Sequence, residues 1–148
     1  SMYRLLLSKT NQLKGNKMLV TDWDKYAPFF YKDEFDCKHT GQNLMTAEFM
    51  DRLLGLRKEL GIPFIITSGF RHPTHPSEAH KSAPGTHTEG IACDIQATTG
   101  TTAGAIIEAA LRHGFKGIGV AQDTRRRRRD RFVHLDLRKS VTPVFWSY

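Results

Sequence analysis

The hydrophobic positions of the chain follow two rhythms. Between Thr46 and Leu60, the residues Phe49, Met50, Leu53, Leu54 and Leu60 recur at helical spacing, in a segment that Thr46 can cap and Gly61 and Pro63 can end. The pattern predicts a core-packing helix. A second helix is predicted from Thr101, over "TTAGAIIEAALRHGF", stopping near Gly114. Shorter apolar runs predict strands: Phe64 to Ser68 between Pro63 and Gly69, then residues 91–96, the glycine-marked 116–121, and 131–137. Thr21 is read as the cap of a short helix near the start, running on into a loop.

Alternation within two of these strands separates core from chemistry. In "IACDIQ", Ile91, Cys93 and Ile95 share one face and Ala92, Asp94 and Gln96 the other. In "RFVHLDL", Val133, Leu135 and Leu137 face one way and Phe132, His134 and Asp136 the opposite way. His134 and Asp136 therefore stand on the same side. The segment from Gly69 to Gly90 is rich in Pro, Gly, Ser, Thr and His and has no period, so it reads as a long loop of the kind that usually carries function. Strands joined by long loops and flanked by helices, without regular βαβ alternation, predict an α+β fold with a small, mostly antiparallel sheet.

At 148 residues the chain can bury a core without disulfides or a structural metal, so a metal here would serve chemistry. Residues 1–17 read as a tag or disordered lead-in, with Ser1 before Met2 as a cloning remnant, and 18–148 as one domain. The apolar patch Leu5 to Leu7 is too short for a signal-peptide core, so a cell-wall target implies release by lysis, a holin or an assembled particle. No apolar run approaches the roughly 20 residues that a membrane span needs. Cys37 and Cys93 form no CxxC pair, which excludes a disulfide framework and a zinc knuckle.

The formal charge of +7 favours anionic partners, but Arg125, Arg126, Arg127, Arg128 and Arg129 supply five of those charges in one run. No aromatic platform or helix-turn-helix pattern accompanies them, which argues against nucleic acid. A solvated loop touching an anionic wall polymer or substrate carboxylates is the better reading.

The unit that points to chemistry is "HTEGIACD". His87 ends the long loop, Gly90 marks a tight turn and Asp94 lies on the strand that follows, so the two side chains can converge on one metal. A third ligand must come from elsewhere, and His134 on its polar strand face is the best candidate among seven histidines. Two histidines and one carboxylate leave a coordination position open for water, which is the pattern of a catalytic zinc site suited to amide hydrolysis.

Taken in order, "ITSGFR", the His87, Gly90, Ala92, Asp94 pattern and "FVHLD" resemble the zinc D-Ala-D-Ala carboxypeptidase family of the peptidase M15 type. That family includes phage endolysin peptidases and shares its fold with the hedgehog signalling domain. The resemblance runs from about Trp23 to the C-terminus and includes "EFDCKHTG". It implies one zinc ion held by His87, Asp94 and His134. It implies also that Arg71 binds the substrate's carboxylate end or scissile carbonyl, with Ser68 supporting that pocket. The substrate implied is a peptidoglycan stem peptide, cut by a carboxypeptidase or an endopeptidase; the chain itself is expected to be a monomer.

The chain departs from that pattern in two places. Gly85 stands where many members have serine two residues before the first ligand, and Phe132 and Arg131 occupy the positions of the usual general base. Asp136 is the first substitute and Asp130 the second. Asp136 has an alternative role, orienting His134 or an arginine. The departures leave a second functional reading, a zinc-binding relative without turnover. His75 falls where relatives also carry a histidine, so it is read as ordering the loop or touching substrate. His72, His80 and His113 are read as surface residues, and Cys37 as packing.

Overall fold

The computed structural model describes residues 17–148, so the lead-in expected over 1–17 lies, except for Lys17, outside the described residues. Among the described residues, two α-helices and a five-stranded sheet make up the frame. Helix α1 spans Ala47–Leu60: Thr46 Oγ1 accepts the Phe49 N–H at its start, and Gly61, at φ 66°, closes its end. Helix α2 spans Gly100–Arg112 and is capped by Thr99, whose hydroxyl accepts the Thr102 N–H. It thus begins one residue before the expected start. The first short helix, Trp23–Tyr26, is a 3-10 turn capped by Asp22 rather than Thr21, because the carboxylate reaches the Asp24 N–H.

The strands are β1 (Ile66–Ser68), β2 (Ala92–Gln96), β3 (Gly117–Ala121), β4 (Phe132–Asp136) and β5 (Val144–Ser147). Their order in the sheet is β1-β2-β4-β3-β5. The first three pairings are antiparallel, while β5 runs parallel to β3. The fold is α+β with a mixed sheet. Of the run from Phe64 to Ser68 only the last three residues pair, and the register shifts between Ile66 and Ser68.

One face of the sheet closes the core. Cys93, Ile95, Ile118, Val133 and Leu135 are fully buried in one cluster with Phe49, Met50, Leu53 and Leu56 of α1 and Ile106, Ala109 and Ala110 of α2. Side chains of this size contribute about 1.5–3 kcal/mol each on leaving water, which gives the sheet and helices their reason to pack. Alternation then sends Asp94, His134 and Asp136 to the opposite face. There β2 and β4 set Asp94 directly across from His134.

Candidate metal centre

His87, Asp94 and His134 are all buried, and one ligand atom from each lies within 4.8 Å of the others. Three local features deliver them. His87 sits on a 3-10 turn, Thr86–Glu89, whose end at Gly90 has φ 70°. A side chain at Gly90 would also run into the Leu44 backbone carbonyl, so glycine is required there on two counts. Asp94 and His134 come from adjacent strands at paired register positions.

Each imidazole is oriented from behind. His87 Nδ1 lies 2.8 Å from the Gly69 carbonyl oxygen, which only an N–H can satisfy, so Nε2 carries the lone pair. That carbonyl is itself held in place, because Gly69 lies against the Phe35 backbone so closely that a Cβ would collide with it. His134 donates Nε2–H to Asp136 Oδ2 at 2.8 Å, which turns Nδ1 toward Asp94 Oδ1 at 3.0 Å. His87 Nε2 is 3.4 Å from the same oxygen. Two imidazole lone pairs and a carboxylate thus face one another, a donor set that needs a cation among them and suits a divalent metal with nitrogen and oxygen ligands. The residues fit the metal that the sequence implies.

The carboxylates are tuned by these contacts. Burial alone would push the Asp94 carboxyl up, but where a proton rather than a cation lies between it and the rings, hydrogen bonds from His134 and His87 hold it well below the usual carboxylate range. Asp136 is likewise held low against its burial, by His134 and Arg138. Burial would lower the pKa of His134, yet its two carboxylate partners raise it.

Arg71 stands beside the three. Its Nε donates to Ser68 Oγ at 3.0 Å, Nη1 to Glu78 at 3.3 Å and Nη2 to Asp94 Oδ2 at 3.3 Å. Glu78, with its side chain 1% exposed, also accepts from Lys81 and from the Gly85 N–H, so it ties the long loop to the arginine. A cleft of roughly 320 Å³ opens over this group, lined also by Phe132, Arg138, Trp146 and Tyr148. A more apolar groove lined by Leu19, Leu44, Pro73 and Pro84 contains none of the three donors.

The two residues expected as proton acceptors lie in different surroundings. Asp136 is fully buried, and both its oxygens are engaged: Oδ2 by His134, Thr86 and Arg138, Oδ1 by the Arg138 backbone and Nε. Asp130 is exposed, pairs with Arg127 at 2.7 Å and lines a separate pocket outside the cleft. His72, His75, His80 and His113 stay outside the group of three. His75 packs edge-on against His39, and buried Cys37 accepts the His72 N–H.

Sequence reasoning missed Glu78, Arg138, Trp146 and Tyr148. The aromatics belong to β5 and the residue after it, a strand hidden in a short run after Pro143. One signal could have found that wall: Gly117 and Gly119 alternate on β3 across from Asp136 and His134. A Cβ at Gly117 would strike the Asp136 carboxylate, and one at Gly119 would meet Trp146 Nε1 at 2.7 Å. Both glycines leave room for the site.

Two oriented imidazoles and a carboxylate in an open cleft, beside a fixed guanidinium, make a donor arrangement suited to a mononuclear metal hydrolase. The Peptidase M15 family model matches residues 28–136, and the chain belongs to that family, which consists of zinc metallopeptidases. Among curated proteins, none matches the chain.

Proposed function

We propose that the protein is a zinc peptidase acting on peptidoglycan stem peptides, as a D-Ala-D-Ala carboxypeptidase or an endopeptidase. The convergence of His87, Asp94 and His134 on one point of an open cleft carries this reading, with family membership behind it. His87 would bind zinc through Nε2, His134 through Nδ1 and Asp94 through its carboxylate. Bound zinc supplies Lewis acidity, which activates water and polarises the scissile carbonyl.

The chain's own residues supply positioning. The Arg71 guanidinium, fixed by Ser68 and Glu78, offers a planar pair of donors to a substrate carboxylate or carbonyl oxygen. Trp146 and Tyr148 line the cleft together with Arg71 and would hold a peptide out of bulk water. Asp136 has no free oxygen for a proton, so its role is to fix the ring and tautomer of His134. Asp130 lies outside the cleft and takes no part in the chemistry.

One observation favours a second reading, a relative that holds zinc without turnover. Asp94, Asp136 and Glu78, the carboxylates lining or backing the cleft, are each already bound by two or more partners. Metal analysis combined with an assay on peptidoglycan and on an acyl-D-Ala-D-Ala peptide separates the two. Zinc bound in a one-to-one ratio, lost in His87→Ala, with chelator-sensitive cleavage establishes the peptidase. Zinc without cleavage of any wall peptide sinks it.

A further inference from the structure

The arginine run bears on the cleft through two shared walls. Between residues 123 and 131 there are six arginines and two aspartates. Both aspartates are already paired, Asp123 with Arg125 at 2.6 Å and Asp130 with Arg127 at 2.7 Å. Arg126, Arg128, Arg129 and Arg131 form no ion pair with a carboxylate among the described residues. The loop therefore carries uncompensated positive charge, although two of its members are held in place.

Arg126 and Arg131 are half-buried, whereas their neighbours in the run are exposed. The Arg126 guanidinium lies over the Phe132 ring, 5.7 Å from its centroid. Arg131 Nη2 donates to the carbonyl oxygens of Thr124 and Arg126, while its Nε is buried without a hydrogen-bond partner.

These groups line one pocket of roughly 430 Å³ with Thr67, Arg129, Asp130 and Phe132. Phe132 lines the metal cleft as well. On the other side, Arg125 and Arg126 share a smaller pocket with Tyr148, which also lines the metal cleft. The arginine loop and the metal centre are thus adjoining compartments, with Phe132 and Tyr148 as the partitions. A peptide lying in the cleft would meet the arginine loop across Phe132 or Tyr148.

We propose that Arg126, Arg129 and Arg131 form a subsite for a carboxylate on the peptide being cleaved, which makes the enzyme selective for acidic peptides. The inference rests on the peptidase reading and deepens it. Arg126 and Arg131 are held in advance and lose little side-chain freedom on binding, while exposed Arg129 adds charge, and planar guanidiniums suit a carboxylate. A nucleic-acid strand would need a charged track with stacking platforms, whereas the charge here is gathered at one pocket beside the cleft.

The test uses the zinc-loaded full chain, its R126S/R129S variant, and two synthetic stem peptides differing only in a side-chain carboxylate replaced by carboxamide. The expected result is a preference for the carboxylate peptide of about tenfold in kcat/KM that falls to near unity in the variant. An equal preference in both proteins, or none in the native chain, overturns the subsite. If neither peptide is cleaved, the peptidase reading has failed. The ratio of the two peptides' Kd values, measured by calorimetry, then decides the subsite on the same terms. A single-stranded oligonucleotide forms a further arm: if the variant loses oligonucleotide binding while peptide discrimination persists, the loop serves nucleic acid and the proposal is wrong.

Discussion

His134 donates its Nε2 proton to Asp136 across 2.8 Å, and that bond decides which ring nitrogen faces Asp94. Removing the acceptor frees the ring to rotate and to change tautomer. Asp136→Ala is expected to weaken zinc binding by about 10–100-fold, read by competition with a chelating dye. Asp136→Asn keeps an amide oxygen for the imidazole and falls less. A D136N protein with normal zinc affinity but no turnover would instead make Asp136 the proton acceptor.

Gly117 tests the same contact from the neighbouring strand. Its Cα position leaves no room for a methyl group beside the Asp136 carboxylate. Gly117→Ala is expected to displace that carboxylate and cost about 1–3 kcal/mol of stability by crowding. Zinc affinity should fall together with stability. Loss of stability at unchanged zinc affinity would show that Asp136 can move without disturbing His134.

The core lies on the far side of the sheet from the three candidate ligands, so chelation should separate activity from folding. Treatment with a chelator is expected to abolish cleavage while far-UV circular dichroism is retained. The melting temperature should then rise with added zinc, since a metal that binds only the folded chain stabilises it by about 4 kcal/mol at a thousandfold excess over Kd. Collapse of the dichroism on chelation would show instead that the metal holds the fold.

Glu78 gives a prediction that depends on pH. Burial would raise its carboxyl, but Lys81, the Gly85 N–H and Arg71 hold it below its ordinary value of 4.5. A carboxyl depressed in the folded state stabilises the fold above its unfolded pKa, and that stabilisation is lost as pH falls through the folded pKa. Glu78→Gln should therefore cost about 1–3 kcal/mol at pH 7, measured by urea unfolding. The gap from the native chain should close as pH drops below about 4.5. A gap that stays constant with pH would mean that the charge is unimportant and only the shape matters.

Much of the candidate site is legible in the sequence because two of its donors, Asp94 and His134, obey strand alternation. Val133 and Leu135 mark the core face of β4, and that alone sets His134 on the other side. The turn at Gly90 is likewise local, and it fixes His87 relative to Asp94. What escapes is whatever depends on pairing between distant segments. Nothing near Trp146 in the sequence says that it will lie 5.1 Å from the His134 ring, because a parallel strand added at the sheet edge has no local signature. Glu78 escapes for a related reason, as a buried acid in an aperiodic loop looks like any solvated one. Asp130 misleads in the opposite direction. It is close to His134 in sequence, but the 3-10 turn Arg128–Asp130 directs it to the arginines.

The register that sets Asp94 opposite His134 also decides where this chain can change length. Adding one residue within β2 or β4 would turn Asp94 or His134 into the core and a core residue into the cleft. The seven-residue step from His87 to Asp94 is equally intolerant, since it contains the turn at Gly90. By contrast, the span from Gln96 to Phe132 carries a helix, β3 and the arginine loop, and of these β3, through Gly117 and Gly119, is the part that packs against the site. Loops in that interval can be lengthened, shortened or recharged while the ligands stay in place. The fold thereby separates the part that must be kept from the part that is free to be rewritten for a new substrate.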